Sequence, residues 1–134
     1  MSAGTYEETL PCGGKLRVTK NSWEIFYYFS GPDLRARGDI VTIPGSAVRQ
    51  YAEAFRDNWL EYQSLKKSIP TGGEFSKAGK LDMTIRVGKF SEGVCLRSYH
   101  MPVNTVAKLK EVINGYIYAE KRVVHIQEFL SNLA

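Results

Sequence analysis

Cysteine is nearly absent from this chain, with only Cys12 and Cys95 among 134 residues. Neither stands in a CxxC pair or beside a histidine cluster. That excludes the usual zinc and dithiol patterns and leaves two structural thiols in a reducing, cytoplasmic setting. Histidine is as scarce, limited to His100 and His125. His125 and Glu128 have the i, i+3 spacing of a metal pair, but no further ligands accompany them, so neither a metal nor another cofactor is expected. No apolar run approaches the ~18–20 residues of a membrane span. The opening residues, MSAGTYEETLPCGG, lack the basic-then-apolar order of an export signal. The expectation is a cytoplasmic protein with no membrane partner.

Catalytic signatures are missing too. There is no GxGxxG and no GxSxG. The stretch GGEFSKAGKL (72–81) resembles a phosphate loop only at first sight. Its Gly73 and Gly79 are one residue too far apart, and Leu81 stands where a Ser or Thr is needed. RGD at 37–39 reads as a turn and the start of a strand. The chain is therefore expected not to be an enzyme.

What is present is an ordinary globular composition, 43% hydrophobic and 24% charged, in a chain long enough to bury one core. The net charge of +4 permits an anionic partner. Its distribution is uneven: the strand-like segments 13–43 and 77–101 carry +2 and +3, and the helical segments 44–69 and 102–134 only +1 each.

Periodicity supplies the layout. In KLDMTIRVGK (80–89), Leu81, Met83, Ile85 and Val87 alternate with polar residues, as in a half-buried strand. A turn at 91–93 and a second strand, VCLRSYHM (94–101), follow. Asn104 is a candidate N-cap, and Val106, Leu109, Ile113 and Ile117 recur at helical spacing. Asn114-Gly115 is expected to end or bend that helix, with apolar periodicity resuming at Val123, Ile126, Leu130 and Leu133. The first half has the same plan. KLRVTK (15–20) and WEIFYYFS (23–30) are strands joined through Asn21-Ser22, DIVTI (39–43) is a third, and an amphipathic helix over 46–68 buries Val48, Tyr51, Phe55 and Trp59. The expected architecture is α+β: one domain (1–134) with an antiparallel sheet, long amphipathic helices packed on one face, and an internal strand–strand–helix duplication. Its parts are a first half-repeat at 13–69, a linker at 70–79 and a second half-repeat at 80–134.

A helix on one side leaves the other side of a sheet open. In residues 23–29, five of seven side chains are aromatic. Alternation assigns Trp23, Ile25, Tyr27 and Phe29 to the core and Phe26 and Tyr28 to the second face. Basic residues occur on the same strands and their connections. Cations that track phosphates and aromatics that stack bases are the means by which single strands are bound. The candidate nucleic-acid-binding residues are Arg17, Phe26, Tyr28, Arg35, Arg37, Arg86, Arg97 and Tyr99.

In element order, residues 13–134 resemble the single-stranded-DNA-binding coactivators of the positive-cofactor-four type and the Whirly proteins. The resemblance is carried by EIFYYFSGPDLRARGDIVTIPGSAVRQYAEAF and LDMTIRVGKFSEGVCLRSYHMPVNTVAKLKEVI, each strand–loop–strand–helix. It implies a curved antiparallel sheet followed by a long helix, as a dimer or an internal duplication, and matches no family motif residue by residue. Two functions fit: a non-enzymatic binder of single-stranded DNA or RNA, or a protein-interaction or assembly module whose aromatic face buries against a partner or a second copy. Either is expected to form a homodimer.

Overall fold

A computed structural model describes residues 4–29, 39–88, 92–96 and 102–133. The protein is α+β, and the described residues form two antiparallel sheets and two long helices. The first sheet is a meander of β1 (Thr5–Thr9), β2 (Lys15–Thr19), β3 (Trp23–Phe29) and β4 (Asp39–Pro44), in that order. A 3-10 turn at Gly45–Ala47 leads into α1 (Val48–Ser68). The second sheet comprises β5 (Phe75–Ala78), β6 (Met83–Val87) and β7 (Gly93–Leu96), and α2 (Val106–Ser131) ends the chain. Among the described residues, no helix is long and apolar enough to cross a membrane.

The chain divides into two compact units that exchange helices between the halves of the sequence. Unit 1 joins the residues up to Arg49 with those from Glu111 onward, and unit 2 is Gln50–Lys110. Each sheet thus shares a unit with the helix that follows the other sheet. In unit 1 the buried face of the sheet presents Leu16, Val18, Ile25, Tyr27, Val41 and Ile43. Against it α2 turns Tyr116, Ala119, Val123, Ile126 and Leu130, all buried at helical spacing. The Tyr27 and Tyr116 hydroxyls share a buried hydrogen bond of 2.7 Å, with the Cys12 thiol 3.9 Å from Tyr27. Burial pushes the Tyr27 phenol well up and raises the Cys12 thiol, so both stay protonated.

In unit 2, Ala54, Phe55, Trp59 and Tyr62 of α1 are buried, as are Met83, Ile85 and Val87 of β6. Asn58, 1% exposed, is the one buried polar residue among those described. Its side chain accepts a hydrogen bond from the Lys80 N–H (2.9 Å) and donates to the Lys80 carbonyl (3.2 Å). That clamp fixes the turn before β6, where Leu81 takes a left-handed φ of 54°. At the other end of β6, Glu92 accepts from the Gly88 N–H (2.9 Å) and from the Tyr62 hydroxyl, and pairs with Lys66 (2.7 Å). Lys66 above all, then Tyr62 and Gly88, hold the Glu92 carboxyl at about 2.

Several expectations change. The single sheet is two sheets. β1 was not foreseen, and residues 75–78, within the stretch read as a linker, form β5. The cap of α2 is Thr105, whose hydroxyl accepts from the Lys108 N–H (3.1 Å); Asn104 instead donates to the Glu92 carbonyl. Helix α2 runs unbroken through Asn114-Gly115. Gly115 is there for packing, since a Cβ on it would lie 3.0 Å from the Cys12 sulfur. The first hairpin turns one residue earlier, at Lys20-Asn21, closed by Thr19 and Ser22. Val48, Phe55, Trp59, Leu109 and Ile113 are buried as expected, whereas Tyr51 is half-buried and Ile117 exposed.

Candidate functional site

Strand alternation and register fix what the unit 1 sheet displays on the face opposite α2. Glu7, Arg17 and Glu24 stand in one row across β1, β2 and β3. The next row holds Thr9, Lys15, Phe26 and Thr42, and Thr5 pairs with Thr19 at the sheet edge. Hydroxyl-bearing β-branched residues suit an open strand surface, because they combine strand propensity with polarity.

The centre of this face is Arg17. Its guanidinium lies over the Phe26 ring, 4.4 Å from the centroid, a distance at which the ring quadrupole attracts the cation. Its Nε donates to Glu7 at 2.8 Å, and its Nη1 lies 3.5 Å from Glu24. Arg17 remains 42% exposed while Phe26 beneath it is only 6% exposed. Phe26 therefore does not offer its own face to a ligand; the outer surface offered is the guanidinium. Lys15, one row away and exposed, has no charged partner among the described residues. The two glutamates offset Arg17 and Lys15, so among the described residues this face is hydroxyl-rich and carries no net charge, with Phe26 packed beneath Arg17.

Of the residues assigned from the sequence, Arg17 and Phe26 come together. Tyr28 pairs with Ile40 in the β3–β4 ladder, but its side chain lies outside the described residues. Arg86 belongs to unit 2, half-buried on β6, with Ser76 and Gly93 as its ladder partners. Its positive charge favours the Cys95 thiolate, yet burial dominates and the thiol is pushed up. Arg35, Arg37, Arg97 and Tyr99 lie outside the described residues. Glu7 and Glu24 were missed. No alternation in Thr5–Thr9 marks a strand, so only the β1–β2 register brings the Glu7 carboxylate beside Arg17.

Further polar contacts in unit 1 tie α2 to the other side of the sheet and, through Arg49, to the start of α1. Arg122 donates to Glu8 and to the Tyr6 hydroxyl (3.0 Å), Arg49 forks onto Glu120 (2.9 Å), and Gln127 donates to the Thr19 carbonyl (3.1 Å). Tyr6 and Glu8 hold the Arg122 guanidinium charge more firmly than usual. No cluster of three or more His, Cys, Asp or Glu suited to a metal occurs among the described residues. Compared with protein-family models, curated proteins and solved structures, the chain matches none.

Proposed function

We propose that this chain is a non-enzymatic, cytoplasmic binder of single-stranded nucleic acid that works as a homodimer. The face of the unit 1 sheet opposite α2 is its platform. The observation that carries this is the Arg17–Phe26 stack, braced by Glu7 and Glu24 with the guanidinium still open outward. Arginine planes and aromatic rings both stack nucleobases, and each stacked base is worth ~1–3 kcal/mol by alanine substitution. Lys15 stands beside the stack to meet a phosphate, and the threonine hydroxyls can donate to phosphate or base oxygens. The layout resemblance to single-strand-binding folds supports the same use of an open sheet. Two buried thiols suit a reducing compartment.

Because carboxylates offset Arg17, stacking is expected to outweigh phosphate neutralisation. The test is fluorescence anisotropy with labelled single-stranded DNA and RNA at two salt concentrations. Supporting results are saturable binding, weakened by Arg17→Ala, that falls less than about tenfold between 50 and 200 mM salt, the behaviour of about two phosphate contacts. Absence of binding to any single strand at the lower salt would overturn the proposal.

A further inference from the structure

The outer side of α2 sets large apolar groups among charged ones. Ile117, Val124 and Phe129 are exposed, Val124 by 56% and Phe129 by 63%. Just before Phe129 the helix carries a shallow groove lined by Asn114, Ile117, Tyr118, Lys121, Arg122 and His125. One wall is fixed, because Arg122 is anchored on Glu8 and Tyr6. At about 3.6 residues per turn, Tyr118, Arg122, His125 and Phe129 follow i, i+4, i+7, i+11 along one flank. Lys121 and Glu128 are two turns apart on the central line, both exposed and without an ion-pair partner among the described residues.

We infer that this face of α2 is a self-association surface whose occupant is α2 of a second copy, packed antiparallel about a two-fold axis between Val124 and His125. Two independent features select that register. Lys121 and Glu128 lie equally far from the midpoint on opposite sides, so each lysine faces the glutamate of the other copy, twice over. Phe129 and Glu120 are likewise equidistant, so Phe129 of each copy falls level with the other's groove, which brackets position 120. A two-fold axis perpendicular to both helices keeps each flank facing its own counterpart. The Phe129 flank therefore meets the groove flank, and Val124 meets Val124. An isologous contact of this kind closes after two copies. A groove, a ring level with it and opposite charges that meet in one register together favour a second copy over an unrelated partner. The surface lies across the unit 1 sheet from the Arg17 face and does not depend on what that face binds.

The test is sedimentation equilibrium of the full chain from about 1 to 100 µM, with helical content checked by circular dichroism. The native chain should dimerise. Lys121→Glu alone and Glu128→Lys alone should each weaken the dimer at least about tenfold, because like charges then oppose each other across the interface. The double exchange, Lys121→Glu with Glu128→Lys, should return the dissociation constant to within about threefold of native, because the pairs are restored with reversed polarity. Phe129→Ala should weaken the dimer without loss of helix. A monomer at every concentration would overturn the inference. So would a dimer indifferent to the single exchanges, or one that the double exchange fails to restore.

Discussion

Replacing Glu7 and Glu24 together by glutamine probes the chemistry of the Arg17 face most directly. Both carboxylates neutralise the guanidinium over Phe26, at 2.8 and 3.5 Å, and both would repel an approaching phosphate. The double variant removes two negative charges from the face and frees one cation, leaving strand pairing and the stack in place. For single strands each additional phosphate contact steepens the log–log salt dependence by about 0.7, or about 2.6-fold between 50 and 200 mM. The variant should therefore bind more tightly than the native chain at 50 mM and lose about 2.6-fold more of its affinity by 200 mM. Its fold should survive, because exposed ion pairs contribute only about 0–1 kcal/mol each. The assay is anisotropy with a labelled single strand, alongside a thermal melt. A folded variant with unchanged affinity and unchanged slope would refute the placement of nucleic acid on this face.

Three further outcomes test the packing of unit 2. Asn58→Ala should lower stability by about 2–4 kcal/mol, because both backbone groups of Lys80 lose their partner and the turn at Leu81 loses its clamp; a melting shift no larger than that of Leu60→Ala, at an exposed position of α1, would contradict this. Trp59→Ala should cost about 3–5 kcal/mol by emptying the contact with Tyr62, 5.5 Å between ring centroids, as read by urea midpoints; an unchanged midpoint would show the helix face to be misplaced. Glu92, held at about 2 against an ordinary 4.5, has a depressed folded-state pKa. Its contribution is complete above pH 4.5 and is lost as pH falls toward 2. Glu92→Gln should flatten the acid limb of the stability curve, and an equally steep limb would argue against the Lys66–Glu92 pairing.

Much of the layout was legible because burial imposes a period. Met83, Ile85 and Val87 alternate, and Phe55, Trp59 and Tyr62 recur at helical spacing, since a half-buried strand or helix must present one apolar side. Alternation also placed Ile25 and Tyr27 in the core and Phe26 on the other face. The strands β1 and β5 have no such period. Tyr6 and Glu8 are held by Arg122, 116 and 114 residues away, and all four residues of β5 are exposed, so ladder pairing rather than side-chain burial makes these strands.

Local rules also failed where distant packing overrode them. Gly115 would ordinarily weaken a helix, yet it lets Cys12 approach, and the flanking contacts keep α2 whole. Ile117 continues a helical stripe in the sequence but is exposed, whereas Leu130 is buried, because only the sheet decides which side of a 26-residue helix is covered. Sequence named Arg17 and Phe26 as separate contributors, a phosphate contact and a stacking ring. Register alone sets Arg17 between Glu7 and Glu24 and over Phe26, and so turned two assignments into one braced stack. The residue types and their periods are properties of the chain itself. The partner that each side chain meets is a property of strand pairing and helix docking, which bring together residues that no local pattern connects.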